Sequence, residues 1–507
     1  VLPRPTTGGT ATTATVLWQE LTVDPAFVTA NALGYASRAV HATLTTYGEG
    51  AELMPALAER WETLEQGYVY RLHLRRGVRF HNGRLFEARD VHDTFVRLLS
   101  PEIASPSNWI LRNVRGADDV LEGRSKTLSG ITIHDPYTVD IALDQPIAFF
   151  LSLLSMNEAS IVPAEETRDR ERFRLHARGA GPFRIENAVE GDRVVLRRFD
   201  QYWRPEQPHL EQLTIRLDLQ SANDVADAFV RGELDIAHGL PLKIANVLRD
   251  DPQYVPYMRT ITQLHTSYFG YDSSTPPFDR VEVRRALNHA INRQRINERL
   301  FDGVAVIAQA LLPPGLIGYD PSLHALEHDA DRARGLMQEA GYGGGFRVEY
   351  RTWDTDEFNN SGLLPMIVED LAAIGITVNV TRHSATEARK PLQKPGHGMV
   401  FCGNWYADFP DSDNFFYVFF HSNSSAVRGL YFNSAELDRQ IEDARRSPEV
   451  DRRADIYRRL NRIVVEQAPI ATLFHERFFI VHKPEIRGLR TSLVPPPVRY
   501  NEVWIEK

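Results

Sequence analysis

A single cysteine in 507 residues, Cys402, excludes an intramolecular disulfide, and no CxxC or Cys/His spacing marks a metal or redox site. Lysine is scarce as well: only six of the 58 basic residues are Lys, a bias ascribed to coding preference. Basic and acidic residues (67 of the latter, net charge −9) are intermingled, and no basic tract or stripe follows the pattern that tracks a phosphate backbone, so nucleic acid is not expected as a partner. No apolar run approaches the roughly 18 residues of a membrane span. The longest, Ile147 to Met156, reads as a buried helix. Neither GxSxG, HExxH nor GxxxxGK[ST] occurs, and GYGGGF at Gly341 to Phe346 lacks the lysine of a phosphate loop and reads as a helix stop. The 17 histidines are scattered, pairs such as His41/His73 and His475/His482 lack helical ligand spacing, and no fixed-period repeat is present. These absences leave no enzyme signature, although paired carboxylates for glycoside hydrolysis are not excluded by sequence. The chain begins at Val1 rather than Met, and residues 6 to 15 are rich in Thr and Gly, so the expectation is a mature or trimmed product whose export signal has gone.

The remaining composition, 43% hydrophobic and 25% charged, is that of a globular protein, and the length suggests about three domain-sized units. Its most informative stretch is Tyr68 to Val91, YVYRLHLRRGVRFHNGRLFEARDV. Tyr68, Tyr70, Leu72 and Leu74 alternate with Val69, Arg71 and His73, the period of a strand. Gly77 and Asn82-Gly83 punctuate a turn, after which Val91, Phe95, Leu98 and Leu99 form a helical stripe. Further alternations at Leu213/Ile215/Leu217, Val348/Tyr350 and Val378/Val380, separated by helical patterns, predict an α/β architecture. Asp279 and Glu282 resemble a capping box ahead of a helix carrying Val283, Leu287, Ile291 and, near its end, Leu300. A second helix runs through Ile456, Leu460, Ile463 and Val464, and a third ends at Ala340-Gly341. Chain crossings between lobes are expected near residues 258 to 273 and 475 to 485, the latter ahead of a tail with Pro495, Pro496 and Pro497.

The Tyr68 to Val91 string resembles the signature region of the extracellular solute-binding proteins of family 5, the dipeptide and oligopeptide receptors of ABC importers. Further strings resemble that family's landmarks in order: LMPALAERW (Leu53 to Trp61), GAGPFRI (Gly179 to Ile185), Asp200 to Trp203, GELDIA (Gly232 to Ala237), PPFDRVEVRRALNHAINR (Pro276 to Arg293) and NWYADFPDSDNFF (Asn404 to Phe416). Most of them argue fold. Gly179 and Gly181 read as turn formers needing unusual backbone angles, and Arg284, Arg285 and Arg293 as solvated or ion-paired. Function needs a site.

The resemblance implies one. Asp408 matches the aspartate that holds a ligand's α-ammonium group, and the competing reading is a carboxylate that caps the turn beside Pro410 and Asp411. Asn404 to Tyr406 would pair its backbone with an extended ligand, Trp405 and Tyr406 either wall the site or belong to the core, and Phe409 is a further ligand-binding candidate. Arg351, at a strand end, is the candidate for a carboxylate anchor. The chain departs from the family where it reads Tyr271-Asp272 in place of Phe-Asn, and where its first strand, placed near Thr15 to Leu21, is interrupted by Gln19 and Glu20.

The implied protein is an α/β, periplasmic-binding-protein type II-like receptor with two lobes joined by a hinge and ligand held between them. Residues 1–38, 178–261 and 479–507 would form the main subdomain of the first lobe, 39–177 its second subdomain, and 262–478 the second lobe. It would need no cofactor or metal, act as a monomer in the periplasm or outside the cell (with a lipid anchor as an option), bind a peptide or other small molecule, and deliver it to a membrane permease. Relatives of this fold also bind opines, sugars and nickel complexes, and a cytoplasmic sensor built on the same fold is the remaining alternative.

Overall fold

The computed structural model describes residues 5–16, 20–28, 34–240, 242–324, 327–494 and 498–506. It divides into two compact units, one taking residues up to Ile261 together with those from Phe478 onward, the other running from Thr262 to Arg477. Among the described residues no helix is long and apolar enough to cross a membrane.

The first unit is built on a seven-stranded mixed sheet. Its strand order is Met258–Thr262, Arg477–His482, Ile236–Leu240, Thr10–Ala14, Gln212–Arg216, Arg193–Arg198 and Phe183–Val189. Thr10–Ala14 is central and runs parallel to both neighbours. The first strand thus lies earlier than Thr15 to Leu21, in the Thr-rich segment, where Ala11 and Thr13 are fully buried. β-branched threonines suit a pleated surface, and Thr13 donates its hydroxyl to the Ile236 carbonyl, so a segment without large apolar residues still forms a core strand. Leu17 to Gln19 lie outside the described residues, as do Pro495 to Pro497.

A second, four-stranded antiparallel sheet in this unit orders Ala58–Leu64, Val69–Leu74, Thr138–Ala142 and Ile131–Asp135. Within the Tyr68 to Val91 string, Tyr70, Leu72 and Leu74 are buried as the alternation requires, while Tyr68 is 39% exposed. Tyr68 sits one residue before the strand, its N–H turned back to the Glu65 carbonyl. Gly77 and Gly83 take positive φ of 75° and 89° in the turns that follow. Helix Ala88–Leu99 then buries Val91, Phe95, Leu98 and Leu99. Its start is fixed by Asp90, which accepts the Glu87 N–H at 2.9 Å and a guanidinium hydrogen bond from Arg84 at 2.6 Å. The Ile147 to Met156 run is buried but forms only one helical turn, Phe150–Leu153.

In the second unit, Val400–Tyr406, His265–Tyr271 and Ile470–Thr472 form one sheet and Phe346–Thr352 pairs in parallel with Ile376–Arg382. Helices Val281–Ala290, Ala330–Glu339 and Leu363–Ala372 supply Leu287, Met337 and Ile367 to a core that contains Phe269, Tyr271 and Phe278. Full burial of each such side chain contributes about 1.5–3 kcal/mol. Leu300 belongs to a separate helix, Arg293–Phe301, because Ile291 is extended and Asn292 caps a new start by accepting the Arg295 N–H at 2.9 Å. The preceding helix begins after Arg280 without a side-chain cap, so the Asp279/Glu282 box is not formed. Arg284 and Arg293 are buried and satisfied by carbonyls rather than solvated or ion-paired. Arg284 donates to the Gln467 and Phe278 carbonyls at 2.9 Å each, and Arg293 to the Thr472 carbonyl at 2.6 Å. Burial pulls the Arg293 pKa down to about 10, which still leaves the guanidinium charged at neutral pH.

Gly179 and Gly181 do not take positive φ. Their requirement is close approach, since a Cβ would stand 2.3 Å from the Val40 carbonyl oxygen at Gly179 and 2.5 Å from the Val40 carbonyl carbon at Gly181. These obstacles are backbone atoms that cannot rotate away. Gly181→Ala is therefore expected to destabilise the first unit by about 1–3 kcal/mol, read as a lower urea midpoint at unchanged slope. An unshifted midpoint would show that the backbone there yields.

Candidate functional site

The site is built on strand Val400–Tyr406. It pairs antiparallel with His265–Tyr271 on one side, and among the described residues no strand of its sheet lies on the other, where the nearest backbone partner is an isolated bridge from Met399 to Glu349. The Ala407 N–H donates to the Leu264 carbonyl at 2.8 Å, which fixes the ladder's alternation. By that alternation Trp405 and Gly403 turn their backbone groups toward His265–Tyr271, whereas Asn404 and Tyr406 turn theirs away, toward the unpaired edge. At Gly403 a Cβ would come within 2.5 Å of the far end of the Tyr268 side chain, so a larger residue there would need that ring to shift.

Side chains beneath the strand hold Asn404 and Tyr406. His265 Nδ1 lies 3.0 Å from the Glu476 N–H and accepts from it, so the proton of the neutral ring is on Nε2, which donates to Asn404 Oδ1 at 3.1 Å. Burial keeps that ring neutral by pulling its pKa down to about 4. With its oxygen occupied, the Asn404 amide has its Nδ2 hydrogens available as donors. Tyr406 stacks at a tilt on His265, ring centroids 4.3 Å apart, and donates its hydroxyl to Glu476, whose carboxyl pKa is raised by burial.

The motif that follows holds three aspartates in different surroundings. Asp411 is buried and takes two 2.7 Å hydrogen bonds from Arg453; Asp413 is buried and takes one from Arg445 at 2.7 Å. Both fasten the segment to helices Ala435–Arg446 and Val450–Gln467. Asp408, half-buried, makes no ion pair among the described residues; its Oδ2 accepts from Asn414 Nδ2 at 3.3 Å, and Asn414 Oδ1 in turn accepts the Asp408 N–H at 2.9 Å. Desolvation raises the Asp408 pKa, an effect the Asn414 bond and the more distant Arg428 charge only partly oppose. Asn414 also accepts the Trp405 Nε1–H on its carbonyl at 2.7 Å, and the Arg428 guanidinium lies 4.1 Å from the centroid of the Trp405 ring. Phe409 is 2% exposed and packs as a core residue.

A hollow of about 520 Å³ lies in the same unit, lined among others by Asn404, Arg351, Arg389, Arg428, Trp353 and Tyr268. Arg351 is paired with Glu349 at 3.0 Å, Arg389 lies over the Trp353 ring at 4.8 Å, and Arg428 Nε is buried without a hydrogen-bond partner. Three guanidinium groups and the Asn404 amide make this wall rich in donors. Cys402 also lines it, but burial raises its thiol pKa and removes thiolate reactivity. Of the residues singled out by sequence, Asn404 and Arg351 meet in this hollow, while Asp408, Trp405 and Tyr406 sit at or beyond the strand's C-terminal end and Phe409 points into the core. Sequence reasoning missed His265, Glu476, Arg389 and Arg428, which are distant in the chain and carry no local motif. Asn414 was within a quoted string, where its spacing of six from Asp408 was the available signal.

This two-unit α/β fold is the periplasmic-binding-protein type II-like fold, shared with solved solute-binding proteins. The chain belongs to the bacterial extracellular solute-binding proteins, family 5, whose model (family 5 Middle) matches residues 52–426. It is similar to the dipeptide-binding protein of Escherichia coli K12, 26% identical over 86% of this chain and 83% of the relative, and to heme-binding protein A of Haemophilus influenzae, 28% identical over 89% and 84%. The solved structure of the periplasmic binding protein DppA from Helicobacter pylori, in complex with the peptide STSA, superposes with a TM-score of 0.80 at 25% identity, covering 99% of both chains.

The surroundings of Asp408 generate a prediction of opposite signs. Its folded pKa is raised, so ionisation favours the unfolded state; the contribution of this carboxyl to stability is present at low pH and lost as pH rises through the raised value. Asp408→Asn is therefore expected to leave the ligand-free protein as stable at acid pH and slightly more stable at neutral pH, by thermal melts between pH 4 and 8. A turn-capping carboxylate would give the reverse, a loss of about 1 kcal/mol at neutral pH.

Proposed function

We propose that this chain is the substrate-binding receptor of an ABC importer and that its ligand is a dipeptide or oligopeptide passed unaltered to a membrane permease. The observation that carries the reading is Asp408, a desolvated carboxylate with a carboxamide partner and, among the described residues, no ion pair, so that the Arg428 charge only partly offsets its desolvation. An α-ammonium group would supply the missing charge, with a charge-assisted hydrogen bond contributing about 1.5–3 kcal/mol. The outward backbone groups of Asn404 and Tyr406 would pair with the ligand's main chain, which reads extended peptides with little regard to side chain. Arg351 would take the carboxylate end. Similarity to the dipeptide-binding protein of E. coli and to the peptide-bound H. pylori protein supports this choice. In this reading the chain performs no chemistry, works as a monomer in the periplasm or outside the cell, and its first unit contains a subdomain spanning residues 39–177.

Arg351, Arg389 and Arg428 in one hollow favour a second reading, a solute whose principal recognition element is anionic, such as an acidic peptide or an opine. Calorimetry separates the two. A free dipeptide is expected to bind about tenfold to a hundredfold more tightly than its N-acetyl derivative, and Asp408→Asn to abolish that difference. Equal affinity for both forms in the native protein would remove the ammonium–Asp408 contact and leave the anionic reading.

A further inference from the structure

The hollow of about 520 Å³ beside Asn404 is walled by more than guanidinium groups. Strand Phe346–Thr352 ends at it, and the next residue, Trp353, opens a turn that is held from inside. Asp356, fully buried, accepts the Tyr350 hydroxyl at 3.1 Å, the Thr352 hydroxyl at 2.9 Å and the Phe358 N–H at 3.2 Å, while its own N–H closes on the Trp353 carbonyl at 3.0 Å. Across the hollow, a Ser384/Glu387 capping box starts helix Ala385–Arg389 and so places Arg389, with Leu392 on the helical turn that follows. Trp353 and Phe358 from the first turn and Leu392 from the second all line the hollow, and each stays only half-buried, whereas Tyr268, Met399 and Phe401 beneath them are buried. Three large apolar side chains left partly open to one concavity gain from an apolar occupant, and the turns that carry them are already ordered.

Charge narrows the class of that occupant. No carboxylate lines the hollow among the described residues, whereas Arg351, Arg389 and Arg428 do. Arg351 is paired with Glu349, but Arg389 makes no ion pair among the described residues and lies flat enough over the Trp353 ring, 4.8 Å from its centroid, to form a cation–π contact. A cationic side chain entering the hollow meets like charge with no acid to pair with, while an aromatic ring can stack on the indole face or under the guanidinium plane. We propose that this hollow is the pocket for an aromatic side chain of the ligand, with Trp353 as its specificity-determining residue. The inference deepens the peptide reading and rests on it for the ligand's main chain alone; the pocket is a property of Trp353, Phe358, Leu392 and Arg389, and a ring without a peptide attached can probe it.

The test is calorimetry on the full chain with two sets of probes. In the first, Ala-Phe and Phe-Ala are compared with Ala-Ala, Ala-Lys and Lys-Ala; one of the two phenylalanine peptides is expected to bind at least about tenfold more tightly than Ala-Ala, and neither lysine peptide to exceed it. In the second, 3-phenylpropionate, which carries a ring but no ammonium, is expected to bind at least about threefold more tightly than propionate or 3-cyclohexylpropionate. Trp353→Leu keeps apolar bulk and loses the π face; it is expected to remove both preferences and to leave Ala-Ala affinity unchanged. Asp408→Asn is expected to weaken the dipeptides and to leave 3-phenylpropionate binding as it was, so a chain that takes the ring probe but no dipeptide overturns the peptide reading and upholds the pocket. Ala-Ala binding with no gain from phenylalanine at either position, and 3-phenylpropionate no tighter than propionate, ends the pocket and leaves the peptide reading standing. Equal affinity for the phenyl and cyclohexyl probes overturns the aromatic class in favour of any apolar group, and preferences that survive Trp353→Leu remove Trp353 as their determinant.

Discussion

A strand paired on one side only is the constraint on which the candidate site depends. Val400–Tyr406 gains its register from the ladder with His265–Tyr271, and the same ladder commits the backbone of Asn404 and Tyr406 to the opposite edge. An unpaired edge is a liability in a soluble protein unless something covers it. Here the side chains around it are fixed in advance: a neutral histidine orients the Asn404 amide, and Glu476 holds the Tyr406 hydroxyl. Little side-chain entropy remains to be lost when a partner arrives, which is how a preorganised edge converts modest hydrogen bonds into affinity.

The three aspartates of the NWYADFPDSDNFF segment show how identical chemistry is divided by surroundings. Removing either partner from the buried Asp411–Arg453 pair would leave an uncompensated charge and cost several kcal/mol, so these residues serve the position of the segment. Asp408 has no such partner, and its desolvation is a standing cost in the ligand-free protein. Asn414 limits that cost and ties Asp408 to Trp405 without neutralising the carboxylate. A group kept ionised at a penalty in one state gains most from a cation in the other, the differential a receptor needs if ligand is to shift its equilibrium.

Much of the architecture was legible because periodicity records burial. Tyr70, Leu72 and Leu74 in one strand, and Val91, Phe95, Leu98 and Leu99 on the next helix, occupy the faces their spacing assigns. The failures share a physical cause. Thr10–Ala14 was overlooked because a buried strand can be made of alanine and threonine when its hydroxyls find carbonyls, and a hydrophobicity pattern does not register that. The break at Ile291-Asn292 was missed because the apolar stripe continues across it. Gly179 and Gly181 were given the wrong reason, backbone angle in place of close contact, since a sequence does not say what lies opposite a missing Cβ. Within the site, the contiguous motif was visible, but His265, Arg389, Arg428 and Glu476 reach it only through the tertiary fold.

Arginine carries the last distinction, in a chain with few lysines. Arg284 and Arg293 are buried against backbone carbonyls, where the planar fork satisfies several acceptors at once and a lysine would not. Arg453 and Arg445 are buried against carboxylates. In each case no buried guanidinium nitrogen is left without an acceptor, and the residue is structural. Arg428, with a buried Nε that has no hydrogen-bond partner and an aromatic face beneath it, is not fully matched. Because a guanidinium does not shed its charge at physiological pH, such an imbalance cannot be relieved by titration. An acceptor from outside the side-chain inventory would meet it, which is why the hollow beside Arg428, and not the matched arginines, carries the anionic reading proposed above.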